Sequence, residues 1–307
     1  MVILMSLQQQ RVIALGFFDG VHVGHAALLQ KARARAEERA AVSCALTFDS
    51  HPEAFILDTP QLLLNTMADR ADLMRRLYGI EEVIFAHFDN ALMNMPWQSF
   101  LSDMLVGNFG AVHLVVGAHF HFGHRGEGNA EKLSQECARL GLGCDVIPLV
   151  TLDEITVSST YIRKLIARGD MKRAHRFLGH PYTLSGHVMQ GQKIGSSLLQ
   201  APTINFQISA GLQTPAKGVY VTATQVGESL LPSVTNVGVR PTFSGNGDIW
   251  CETSILNYDN DLYSQQVRVN FYDYLRPETK FLTVAELKQA VSGDLQKATD
   301  YWSVHTL

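Results

Sequence analysis

Residues 16–25 read Gly-Phe-Phe-Asp-Gly-Val-His-Val-Gly-His, between the apolar run Val12-Ile13-Ala14-Leu15 and an Ala-, Arg- and Glu-rich segment, 26–41. The run predicts a buried strand stopped by Gly16. The segment predicts a helix with Leu28, Leu29, Ala32 and Ala36 on its apolar face. A strand that feeds a helix through a glycine-bearing turn is half of a parallel crossover unit, so the chain is constrained to begin as an α/β sheet. Such turns lie at the carboxyl ends of the strands, where open parallel sheets bind ligands. Backbone N–H groups and the helix dipole attract phosphate there. Glycines at 16, 20 and 24 let a nucleotide approach the backbone closely. His22 and His25, three apart on the first helical turn, share a face and can donate hydrogen bonds to a phosphate that gains charge during transfer. The plainer alternative is a helix cap beside a strand-ending glycine; the HxGH spacing in this context favours a nucleotide site. No Gly-Lys-Ser/Thr follows and GxGxxG is absent, so neither a Walker A loop nor a dinucleotide fingerprint is present.

The alternation continues through the first half. Strands are predicted at 42–48, 83–85, 112–116 and 144–147, and helices at 67–78, 97–107 and 130–140. From Pro181 the pattern changes to β-prone segments at 183–189, 218–225, 233–237, 251–256 and 267–274, with a terminal helix near 284–298. A helical, basic segment, 160–178, bridges the halves. The expected architecture is an α/β parallel-sheet domain over 1–180, followed by a small antiparallel β-barrel with a C-terminal helix over 181–307.

The 307 residues are 46% apolar and 18% charged with a net charge of -4, which excludes disordered, collagen-like and disulfide-scaffold classes. No basic footprint points to nucleic acid as a partner. Cys44, Cys137, Cys144 and Cys251 form no CxxC pair, so zinc has no support and a reducing, cytoplasmic setting is expected. No apolar run approaches a membrane span, and the apolar start, Met1 to Met5, is too short for a signal-peptide core.

The first half resembles the HxGH nucleotidyltransferases on two segments: residues 16–25, and Val157-Ser158-Ser159-Thr160-Tyr161-Ile162-Arg163, which is similar to their SSTxIR segment. Phe17 to His22, Thr47-Phe48-Asp49-Ser50-His51-Pro52 and Val116-Gly117-Ala118-His119-Phe120-His121-Phe122-Gly123 narrow the resemblance. Together they resemble the FMN adenylyltransferase domain of the bacterial bifunctional riboflavin kinase/FMN adenylyltransferase family. The resemblance implies His22 and His25 as catalytic residues. It implies nucleotide contacts from Gly16, Phe17, Asp19, Gly24, Ser158, Ser159, Thr160 and Arg163, and flavin contacts from Asp49, His51, Pro52, Gly117, His119 and Phe120. Ser50 stands where the family has Pro, and His119 and His121 stand where it has Asp and Arg. Neutral His keeps hydrogen bonding but not a fixed charge.

The second half resembles riboflavin kinases. Pro202-Thr203-Ile204-Asn205 is similar to their PTxN motif, and Asn236 to Phe243 to NxGxRPTF. Glu252-Thr253-Ser254-Ile255-Leu256 is similar to ETHIL with Ser for His, and Leu275 to Phe281 to LRxExKF. The resemblance implies Glu252 as base, Thr203 and Asn205 as Mg2+ and nucleotide ligands, Gly191, Lys193 and Gly195 as a phosphate-covering loop, and Arg276 as a flavin contact. Read without the resemblance, Glu252 is a solvated strand residue. The loop Gly195 to Pro202 lacks the family's Arg and second Gly, which motivates an alternative: FMN adenylyltransferase activity alone, with a weak kinase half. The implied chemistry uses ATP and Mg2+ with riboflavin, FMN and FAD as substrates and products. The expected partners are these small molecules, with the chain a monomer or weak homo-oligomer.

Overall fold

A computed structural model describes residues 9–57, 59–189, 203–240 and 248–306. Two compact units form: Met1–Gln61 with Thr66–Ser158, and Leu62–Asn65 with Ser159–Leu307.

In the first unit β1 (Arg11–Leu15) leads through a 3-10 turn (Asp19–Val21) into α1 (Val23–Arg39). Then come β2 (Val42–Phe48), α2 (Pro52–Leu57), α3 (Met67–Tyr78), β3 (Glu82–Ala86), α4 (Asn90–Met93) and α5 (Trp97–Ser99), which runs on as a π-helical stretch (Phe100–Asn108). The unit is completed by β4 (Ala111–Gly117), β5 (His121–Phe122), β6 (Gly128–Asn129), α6 (Ala130–Arg139), β7 (Gly143–Ile147), β8 (Thr151–Leu152) and β9 (Ile155–Thr156). Five strands pair in parallel in the order β3-β2-β1-β4-β7. Alternation along β1 sends Val12 and Ala14 into a cluster with Leu29 and Met74, and Ile13 and Leu15 into another with Leu101, Leu114 and Leu133. Both faces are therefore covered, which is why β1 reads as a continuous apolar run. The strand order reverses between β1 and β4, so the ligand crevice of this topology lies at their carboxyl ends.

The second unit opens with α7 (Ser159–Ala167) and α8 (Met171–Leu178). The single helical segment expected over 160–178 is broken here. Gly169 takes a left-handed φ of 78°, and the Asp170 carboxylate caps α8 by accepting the Arg173 N–H at 3.2 Å. A helix-ending Gly and a helix-starting Asp side by side outweigh the uniform helical propensity around them. There follow β10 (Tyr182–His187), β11 (Thr203–Gln207), β12 (Gly218–Val226), β13 (Ser229–Arg240), β14 (Asp248–Ile255), β15 (Gln266–Pro277) and α9 (Val284–Val304). The strands form one antiparallel sheet in the order β10-β15-β12-β13-β14-β11. Its two edges meet at a bridge in which the Met189 N–H donates to the Asn205 carbonyl at 2.8 Å, so the sheet curls toward a barrel. One face packs Val219, Val221 and Val234 against Ala298 of α9. On the other, Thr224, Ser233, Thr222, Thr235 and Thr253 form a buried chain of hydroxyls linked at 2.8–2.9 Å. A hydroxyl can both donate and accept, so a run of them satisfies itself in burial.

The C-terminal helix is fastened by charge as well as by packing. Asp294, 3% exposed, accepts from the Arg276 guanidinium at 2.7–3.1 Å. Asp294→Ala leaves a half-buried cation without its carboxylate, and a loss of about 3 kcal/mol is expected in urea unfolding, the lower end of what breaking a buried pair costs. A loss under about 1 kcal/mol places the pair in the class of surface ion pairs.

Candidate active sites

The chain leaves β1 through strained backbone. Phe18, Gly20 and Val21 take left-handed φ values of 56°, 78° and 43°. For a β-branched residue such as Val21 that conformation costs on the order of 1–3 kcal/mol, and such strain concentrates at functional sites. The turn delivers His22 to the N-cap of α1, where its Nδ1 accepts the His25 N–H at 3.3 Å. The two imidazoles stack, with ring centroids 3.5 Å apart and planes 12° from parallel. His25 also meets the Phe18 ring edge-on at 5.2 Å. Burial first, then the neighbouring His22 and Arg70, push the His25 pKa well below the usual histidine range. His25 is therefore neutral at physiological pH and keeps one N–H to donate. Gly24 lacks the Cβ that would lie 3.2 Å from the His22 ring, so a larger residue there presses on that ring.

Arg70 of α3 is fully buried and was not singled out by any motif. Its Nη1 donates to the carbonyls of Phe17 at 3.0 Å and Phe48 at 3.3 Å and to Thr47 Oγ1 at 3.3 Å. Its guanidinium lies 4.3 Å from the centroid of the Phe17 ring. Thr47 Oγ1 donates to the same Phe17 carbonyl at 2.7 Å. Burial lowers the Arg70 pKa to about 10, opposed by Asp19, which leaves it cationic at neutral pH. A fixed positive charge thus sits under the turn that carries the two histidines. The signal was present in the sequence: Arg70 shares the apolar stripe of α3 with Leu73 and Met74, three and four residues on.

The residues assigned to flavin follow the neighbouring strands. After β2, the Asp49 carboxylate contacts His87 Nδ1 at 2.6 Å and accepts the Phe88 N–H at 3.2 Å. Burial raises the Asp49 pKa, but the bonds from His87 and Phe88 outweigh it and leave the carboxyl below its usual range. His51 packs edge-on against Phe17 at 4.4 Å, accepts the Glu53 N–H at 3.2 Å, and is followed by Pro52 at the first position of α2. After β4, Gly117 accepts the Phe120 N–H at 3.0 Å; His119 is exposed, and Phe120 stacks on Phe122 at 5.3 Å. The adjacent strands β2, β1 and β4 therefore gather Asp49, His51, Phe17, His22, His25, Gly117 and Phe120 at their carboxyl ends. Among the described residues, no group of three or more His, Cys, Asp or Glu is placed to hold a metal ion. Ser158 closes the first unit; Ser159, Thr160 and Arg163 open α7 of the second, where Arg163 donates to Thr160 Oγ1 at 3.1 Å.

In the second unit strand register builds the site. Asn205 of β11 lies directly opposite Glu252 of β14, which lies opposite Asn236 of β13. Opposed residues of antiparallel strands share a face, so the three side chains form one row, with Thr203 opposite Ser254 in the next. A Cβ on Gly238 would lie 2.5 Å from Glu278 Oε1 and 3.3 Å from Asn236 Nδ2, so a second carboxylate reaches the same row. In the sequence Asn236 and Glu278 are motif members only; register and packing give them their place. Arg276 is engaged by Asp294. Gly191, Lys193 and Gly195 lie outside the described residues.

Comparison with known proteins returns the same two halves. A family model described as FAD synthetase matches residues 4–161, and one described as riboflavin kinase matches residues 178–302. A bifunctional riboflavin kinase/FMN adenylyltransferase of Pseudomonas fluorescens is 34% identical over 292 residues, covering 94% of this chain and 91% of the relative. One of Escherichia coli K12 is 31% identical over 301 residues, covering 97% and 94%. A solved Streptococcus pneumoniae structure, described as a macrolide-efflux protein, superposes with a TM-score of 0.84 at 27% identity, over 97% of this chain and 96% of that one. Among the described residues of the present chain, no helix is long and apolar enough to cross a membrane.

Proposed function

The chain belongs to the bifunctional riboflavin kinase/FMN adenylyltransferase family, and from that premise we propose how its residues divide the work. The protein phosphorylates riboflavin with ATP to give FMN, and transfers AMP from ATP to FMN to give FAD and pyrophosphate. We assign the second reaction to residues 1–180 and the first to 181–307. The observation that carries the assignment is the stacked His22–His25 pair at the switch point of a parallel sheet.

In adenylyl transfer an FMN phosphate oxygen attacks the α-phosphorus of ATP, and the bond to pyrophosphate breaks. His22 and His25 donate hydrogen bonds to phosphate oxygens as charge builds on them. Arg70 fixes the Phe17 carbonyl and supplies positive charge beneath the turn. Gly16, Phe17, Asp19 and Gly24 shape the nucleotide approach, while Ser158, Ser159, Thr160 and Arg163 hold the triphosphate. Asp49, His51, Pro52, Gly117, His119 and Phe120 receive the flavin. In riboflavin phosphorylation Glu252 accepts the proton of the 5′-hydroxyl as its oxygen attacks the γ-phosphorus and ADP leaves. Asn236 and Glu278 flank that carboxylate, and Arg276 faces the flavin while anchoring α9. Thr203 and Asn205 offer the hard oxygens that magnesium takes, and with ATP such an ion would neutralise phosphate charge. We assign the reactions to the cytoplasm, a reading that four free thiols support, and to a monomer or weak homo-oligomer.

Gly24→Ala tests the first assignment. The added methyl displaces the His22 ring by a few tenths of an ångström, and about a tenfold fall in kcat for FAD formation is expected, with FMN formation unchanged. An unaltered rate of FAD formation argues against a demand on the position of that ring.

A further inference from the structure

The segment after β3 carries a residue that no motif assigns. His87 follows β3 as Asp49 follows the adjacent β2. Asp49 is tied to the end of β3 twice, through its N–H to the Ala86 carbonyl at 3.2 Å and through its carboxylate to the His87 ring and the Phe88 N–H. The Phe88 ring packs edge-on against Phe48 and Phe55, so the same segment braces the start of the Asp49–Pro52 loop. Two residues beyond Asp49, His51 meets Phe17 of the nucleotide turn. The His87 side chain is 76% exposed, so its protonation follows the solvent while one nitrogen stays on Asp49.

We propose that His87 is a positioning residue for the FMN side of the first site: it clamps the Asp49 carboxylate and, when protonated, cancels the charge that this carboxylate presents to the anionic FMN. This rests on the reading of Asp49 as a flavin contact. Asp49 and Asp89 favour the imidazolium, and the Ser50 hydroxyl and Phe88 N–H also serve the carboxylate. The hydrogen bond to Asp49, then its charge, raises the His87 pKa above the usual histidine range. Below that pKa the pair is neutral overall; above it, the pair carries one negative charge. FMN, an anion, is therefore bound less well as pH rises.

The test is the KM for FMN in FAD formation between pH 6 and 9, in the wild type, His87→Gln and His87→Ala. The wild-type KM is expected to rise about two- to fivefold beyond the rise seen in either variant, the range of one solvent-exposed charge contact. His87→Gln keeps a donor for Asp49 and is expected to hold the KM near the wild-type high-pH value throughout. His87→Ala releases the carboxylate and raises the KM further. Ionisation of the FMN phosphate is common to all three proteins, so the difference between them isolates His87. In Asp49→Asn, NMR is expected to show the His87 imidazole titrating at lower pH. A wild-type pH profile reproduced by His87→Gln overturns the charge role, and an unmoved His87 titration in Asp49→Asn overturns the clamp. A wild type that forms no FAD at any pH refutes instead the reading of the first site on which the inference stands.

Discussion

His22→Ala is expected to lower kcat for FAD formation from FMN and ATP by about 10²–10³-fold, the effect of removing one preorganised donor from a developing oxyanion. The loss has two parts. The imidazole N–H proposed to meet the phosphate is gone, and the N-cap of α1 loses the acceptor for the His25 N–H. The second part is separable. Asn at position 22 can cap the helix, so His22→Asn restores stability without restoring rate. FMN formation from riboflavin stays within about twofold in both variants, because the kinase row lies wholly on strands of the second unit. Equal losses of both activities would contradict independent sites.

Glu252→Gln has the opposite signature. A fall of about 10²–10⁴-fold in FMN formation is expected, with FAD formation from supplied FMN intact. Gln keeps the length and the hydrogen-bonding oxygen but cannot take a proton, so the variant separates base catalysis from the packing of the row. Glu252 pairs in register with Asn205 on one side and Asn236 on the other, and an amide fits between two amides. Unchanged kinase turnover in Glu252→Gln moves the proton acceptor elsewhere, with Glu278, which reaches the same row, as the next carboxylate to replace.

Much of this was legible in the sequence, for physical reasons that also mark where legibility stops. The strands at 42–48 and the helix at 67–78 were read at their observed limits. Two-sided burial makes parallel strands run apolar, and Thr66 and Gly79 punctuate that helix at both ends. The segment 160–178 read as one helix because its propensity is uniform, whereas a glycine and a capping aspartate divide it. The candidate first site shows in the sequence because its residues are local: His22 and His25 lie within one helical turn. Arg70 shows in the sequence only as a charged member of an apolar stripe and His87 not at all, since the contact of each is with a neighbour distant in sequence, Phe17 in one case and Asp49 in the other. The candidate second site shows in the sequence only through resemblance. Asn205 and Glu252 are far apart along the chain, and antiparallel register alone sets them opposite one another. Arg276 shows the converse: its motif speaks of flavin, while its guanidinium also anchors Asp294 of α9.

This one chain makes both FMN and FAD, although its loop from Gly195 to Pro202 departs from the family's pattern. The most direct measurement is a time course in which the purified protein is mixed with riboflavin, ATP and magnesium and the flavins are separated by chromatography, beside a second reaction that starts from FMN. FMN is expected first and FAD after it in the first reaction, and FAD without delay in the second. Riboflavin left unconverted in the first reaction, with FAD formed in the second, would contradict it by showing an adenylyltransferase whose kinase half is silent.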